Sequence, residues 1–132
     1  MSLEESVLQH IENNAQEMIR GIAQIISIRS ERGTPEKDAP YGRGPKQALV
    51  ETLRLAQNMG FKTEMIENQI GIVKYGQGDE YIGIVGHLDV VEAKEGWTSD
   101  PYILTERNGR LYARGILDNK GPILANLYAL KA

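Results

Sequence analysis

The chain has 132 residues, with 15 Lys+Arg against 18 Asp+Glu, a formal net charge of -3, two His and no Cys. That length is one domain at most, able to bury about 65–70% of its unfolded surface without cross-links, and the lack of Cys excludes thiolate zinc clusters, Cys nucleophiles and disulfide scaffolds. Charges of both signs are mixed along it, no apolar run approaches the ~20 residues of a membrane span, and Met1-Ser2-Leu3-Glu4-Glu5 has no signal-peptide character. The expectation is a soluble, cytoplasmic protein with no nucleic-acid or membrane partner.

Ser2-x-x-Glu5 has the form of a capping box, and Leu3, Val7, Ile11, Ala15, Met18, Ile22 and Ile25 follow at steps of three and four, predicting one amphipathic helix to about Ile28. Ser30 to Gly44 carries three Gly and two Pro without apolar period and reads as a long functional loop. Pro45 is placed as the first residue of a second helix, with Ala48, Leu49, Leu53, Ala56 and Met59 on one face and Gly60 as its terminator. Phe61 to Val73 alternates like a hairpin broken at Asn68-Gln69. Tyr81-Ile82-Gly83-Ile84-Val85-Gly86 is continuously apolar, as a central strand covered on both faces would be. Asn108-Gly109 between apolar flanks predicts a second hairpin with a type I′ turn, and an apolar helix runs from Gly121-Pro122 to the last residue. This order implies an α/β fold, a mixed β-sheet flanked by helices.

Two segments carry chemistry. In Gly86-His87-Leu88-Asp89, residues i and i+2 of an extended chain point the same way, so His87 and Asp89 project together. A carboxylate that holds one imidazole nitrogen frees the other as a metal ligand or base; a merely structural His–Asp pair at a strand end has the same pattern. Asp118, in Gly115-Ile116-Leu117-Asp118-Asn119-Lys120-Gly121, sits near a helix N-terminus, which favours an anion; an N-cap role is the plainer alternative. His10 falls on the polar face of the first helix, Gly42-x-Gly44-Pro45-Lys46 lacks the spacing of a phosphate loop, and Trp97 reads as a loop anchor.

Together, Gly86-His87-Leu88-Asp89-Val90-Val91, Gly96-Trp97, Asp100-Pro101-Tyr102, Leu111-Tyr112-Ala113-Arg114-Gly115 and Asp118-Asn119-Lys120-Gly121 resemble the consecutive signatures of the co-catalytic zinc aminoacylase/carboxypeptidase/dipeptidase family. Ala39 to Leu49 resembles the PepV-like dipeptidase branch. The resemblance implies a phosphorylase/hydrolase-like fold, with residues 1–132 as the N-terminal portion of a zinc-peptidase catalytic domain. It implies metal-ligating roles for His87 and Asp118, the latter as the carboxylate bridging two metals, a catalytic-site role for Asp89 as the acid supporting His87, and a cis Asp118–Asn119 peptide bond. The implied cofactor is two zinc ions, with manganese the alternative, and the implied substrate a dipeptide or short peptide.

In family members the general-base Glu, the remaining ligands and the second His follow later than Ala132. The expectation is therefore a fragment inactive alone, derived from a metallodipeptidase, that self-associates through an open sheet edge and an under-covered last helix. A non-catalytic α/β binding or assembly module and a related N-acyl amino acid amidohydrolase are the alternatives.

Overall fold

In the computed structural model, which describes residues 1–132, the Ser2–Glu5 capping box forms in both directions: Glu5 N–H donates to Ser2 Oγ at 3.1 Å and Ser2 N–H to Glu5 Oε2 at 2.7 Å. It opens α1 (Leu3–Asn13), which ends at Asn14; α2 (Ala15–Ile26) then starts afresh. The single helix expected to Ile28 is thus two. The break has a local cause: Asn14 leaves helical geometry (ψ 6°) and its side-chain amide donates to His10 O at 2.8 Å, a backbone-competing bond typical of Asn. None of α1's residues is buried, whereas α2 buries Gly21, Ile22, Ile25 and Ile26.

The loop after α2 leads to α3 (Arg43–Asn58). Pro45 is its third residue, not its first, still within the turn where a missing N–H costs nothing. Ala48, Leu49, Thr52, Leu53 and Ala56 form the buried face, and Gly60 (φ 93°) turns the chain out as expected. The predicted hairpin follows as β1 (Lys62–Ile66) and β2 (Ile70–Lys74), antiparallel with Ile66 opposite Ile70. Its turn uses Glu67 and Asn68, both at positive φ, one residue earlier than the break read at Asn68-Gln69. The second hairpin, β3 (Thr105–Arg107) and β4 (Arg110–Tyr112), turns on Asn108-Gly109 at φ 52° and 73°, as a type I′ turn requires. α4 (Lys120–Lys131) closes the order, starting one residue before Gly121.

The α/β class stands, but the strands form two separate two-stranded sheets. The expected central strand at Tyr81–Gly86 is absent: these residues pair with neither hairpin, and Tyr81, Ile82 and Val85 are more than 90% exposed. A strand exists through its neighbours' hydrogen bonds, and each hairpin here pairs only with itself. The core lies between helices. Ile22, Ile25, Ile26 and Ile28 meet Ala48 and Ala56 of α3, Ala113, and Leu124, Leu127 and Tyr128 of α4. α4 is fastened to α2 at both ends: Lys120 Nζ donates to Ile25 O (3.0 Å) and Ile28 O (2.7 Å), while Tyr128 Oη reaches Glu17 O and Lys131 pairs with the Glu17 carboxylate at 3.1 Å.

Candidate functional site

Residues 87–90 are extended, and their burial alternates. Leu88 is half-buried and Val90 buried, while His87 and Asp89 face outward. The inward side is tied to the exit of α2. The buried Ser30 hydroxyl donates to Leu88 O at 2.7 Å, and Val90 N–H donates to Ser30 O at 3.2 Å. The common projection of His87 and Asp89 read from their spacing is therefore realised without the covered strand expected before it.

Asp118 approaches from the other direction. It is not the cap of α4: Asn119 holds that position, and its side chain makes no capping bond. Asn119 Oδ1 instead accepts the backbone N–H of His87 at 3.2 Å, and the Asp118–Asn119 peptide bond is cis, as the resemblance implied. Gly86 is where the two segments close up. A Cβ there would stand 2.1 Å from Ile123 Cδ1 and 2.3 Å from Asn119 Oδ1, so only hydrogen fits.

The side chains converge on the imidazole. His87 Nε2 lies 2.9 Å from Asp118 Oδ1, and Nδ1 lies 3.1 Å from Asp89 O and 3.2 Å from Asp89 Oδ1. Burial pulls the imidazolium pKa down, but the Asp89 carbonyl, the Asp118 hydrogen bond and the two carboxylate charges outweigh it and hold His87 above its ordinary 6.5. The Asp118 carboxylate is 82% exposed and His87 half exposed, so the pair opens to solvent.

This donor set fits a divalent ion such as zinc in type, an imidazole nitrogen beside a carboxylate oxygen with a second carboxylate orienting the ring. It supplies part of a coordination sphere, since no group of three or more His, Asp or Glu is gathered closely enough to hold an ion.

Ser30 carried no signal in the sequence, and Asn119 and Lys120 stood in the motif around Asp118 without an anchoring role of their own. A Ser at a helix exit, an Asn after an Asp and a Lys opening an apolar helix are ordinary there, yet Ser30, Asn119 and Lys120 anchor the pair. Lys120 is fully buried, which lowers its pKa to about 8, partly offset by the Glu31 charge. Other candidates stay apart. His10 is exposed on α1. Lys46 Nζ turns to Asn68 Oδ1 and Met65 Sδ of the first hairpin, away from any phosphate cradle. Trp97 lies under the Arg114 guanidinium, 5.3 Å from its ring centre, and remains 37% exposed.

Comparison with known proteins bears on the same segments. Residues 83–132, which hold His87, Asp89 and Asp118, match peptidase family M20/M25/M40. The chain is 40% identical over 118 residues to YtjP of Bacillus subtilis, covering 88% of this chain and 26% of that protein. It is 39% identical over 116 residues to the Beta-Ala-Xaa dipeptidase of Lactobacillus delbrueckii subsp. lactis, covering 86% and 25%. The crystal structure of human carnosine dipeptidase 1 superposes with a TM-score of 0.72 at 28% identity, over 98% of this chain and 31% of that one. The chain thus spans about a quarter of the length of the curated relatives it matches. Residues 83–132 carry the pattern of peptidase family M20/M25/M40, and the chain as a whole is similar to proteins named as dipeptidases in sequence and in fold.

Proposed function

We propose that this chain is the first portion of the catalytic domain of a cytoplasmic metallodipeptidase, contributing His87 and Asp118 as ligands of a zinc site and Asp89 as the group that orients His87. The observation that carries this reading is the convergence of His87 Nε2 and Asp118 Oδ1 to 2.9 Å from segments 31 residues apart. In such a site a pair of bound divalent ions supplies Lewis acidity and lowers the pKa of water towards ~7. The residues of this chain do the preparatory work. Asp89 holds Nδ1 and so leaves Nε2 facing Asp118, and Asn119 fixes the backbone of His87. The relatives' names point to dipeptides as the substrate class, with β-alanyl peptides in the panel to test.

The fragment reading makes the 132-residue chain bind metal weakly and turn over no peptide, because the acidic groups at the pair, Asp89 and Asp118, are both engaged with His87 and no further one is gathered there to shuttle a proton. The experiment assays this chain and its natural reading frame, each with zinc or manganese, on an α-dipeptide, a β-alanyl dipeptide and an N-acyl amino acid. Chelator-sensitive dipeptide hydrolysis by the longer protein alone is expected, abolished by His87→Ala. Full activity in the 132-residue chain overturns the fragment reading. Cleavage of the N-acyl amino acid alone shifts the assignment to an amidohydrolase. Inertness of both proteins, without metal binding, leaves the non-catalytic module.

A further inference from the structure

The two halves of the candidate site are far apart in sequence, and neither is built on a shared sheet. Both are tied to one short stretch, the last turn and exit of α2. Lys120, two residues after Asp118, donates to Ile25 O and Ile28 O from a fully buried position. Ser30, two residues further along that stretch, brackets Asp89 by accepting from Val90 N–H and donating to Leu88 O. Between the two anchors lies Gly115, where a Cβ would meet Val90 Cγ1 at 2.9 Å and the Lys120 stem at 3.3 Å, so both clamped parts close on the same glycine. These buried bonds tie an otherwise exposed pair to the core, since the Asp118 and Asp89 carboxylates are 82% and 63% exposed.

We propose that Ser30 and Lys120 are positioning residues that set the approach of His87 to Asp118, both acting through the α2 exit at Ile25–Ser30. Neither touches the pair. Ser30 fixes the segment carrying His87 and Asp89, Lys120 fixes the segment carrying Asp118, and the α2 exit is their common reference. The inference rests on the metallodipeptidase reading only for what the pair is used for.

The chain contains two His, so His10, exposed on α1, is an internal reference for His87. Ring ¹⁵N resonances of both are recorded at one fixed pH in the full chain, in Ser30→Ala, in Lys120→Met and in Tyr128→Phe. The last removes a bond to Glu17 O at the opposite end of α4 and controls for general loosening. Ser30→Ala and Lys120→Met are expected to move the His87 resonances toward those of His10, while Tyr128→Phe leaves them in place. Unmoved His87 resonances in folded Ser30→Ala, or equal movement in Tyr128→Phe, overturn the proposal; should Lys120→Met fail to fold by circular dichroism, Ser30→Ala decides alone. The expected shifts, with a natural reading frame that neither binds zinc nor cleaves dipeptides, would sink the proposed function and leave this inference standing. Unmoved resonances, with a natural reading frame that binds zinc and cleaves dipeptides, would do the reverse.

Discussion

Gly86 is the narrowest point between the two chemistry-bearing segments. Replacing it with Ala puts a methyl group into Ile123 and Asn119 in the first turn of α4, so either the 86–90 segment or α4 must give way. Gly86→Ala is expected to destabilise the chain by about 1–3 kcal/mol and to break the Asn119–His87 backbone bond, read as a lower urea midpoint and faster exchange of the His87 amide. Lys120 argues the same scale by loss. Ile28 O has Lys120 as its one protein donor, so Lys120→Met strands a carbonyl and removes a cation from a helix C-terminus, where it is favourable. The cost should be about 2–3 kcal/mol by chemical denaturation. A surface substitution such as Lys74→Met, whose ion pair with Glu64 is exposed, should cost less than ~1 kcal/mol and serves as the contrast.

At the scale of elements, the exit of α2 also holds the loop before the second hairpin. Arg29 lies 4.5 Å over the Tyr102 ring and pairs with Glu31 at 3.3 Å, and Tyr102 Oη donates to the Glu31 carboxylate. Burial alone would raise the Glu31 pKa, but the bonds from Tyr102, its own backbone N–H and Arg29 together hold it below 4.5. A carboxylate whose folded pKa lies below its unfolded value adds stability that is fully present above the unfolded pKa and fades as pH falls through the folded one. The advantage of wild type over Glu31→Gln in thermal midpoint should therefore be constant above about pH 5.5 and shrink as the pH drops below 4.5. An advantage that grows on acidification would contradict this account.

How legible these elements were follows from the range of the forces that make them. The capping box at Ser2 and Glu5, the type I′ turn at Asn108-Gly109 and the stop at Gly60 depend on a few neighbouring residues, and each formed where the sequence placed it. The projection of His87 with Asp89 is equally local, and Asp118 joined them only through the order and spacing of several motifs. Tyr81–Gly86 departs from the expected strand because an apolar run states a need for neighbours without saying where they are. The break at Asn14 is not legible because the apolar period continues across it. The anchoring roles of Ser30 and Lys120 are not legible because their partners are backbone carbonyls and amides 58 to 95 residues away, which no side-chain pattern encodes.

For the whole molecule, the exposed run Tyr81–Val85 presents unpaired backbone beside apolar side chains, the type of surface from which self-association is expected. Leu3 and Leu8 on α1 and Leu130 on α4 extend the uncovered apolar area. Sedimentation should show mass rising with protein concentration, and Ile82→Lys with Val85→Lys should return it toward monomer. A monomer at every concentration would remove self-association from the description.

The double fastening of α4 along α2 has a kinetic meaning as well. With Lys120 bonded at one end of α2 and Tyr128 and Lys131 at the other, α4 cannot slide or peel from either terminus without breaking a buried or ionic contact. The two helices should open only together, so their central amides should share one slow hydrogen-exchange rate with one denaturant dependence, while α1, which buries nothing, exchanges through its own fraying. Because Asp118 stands one residue before the cap of α4, its lifetime in place opposite His87 is then the lifetime of that helical pair, and the persistence of the site becomes a property of the core rather than of the exposed loop that displays it.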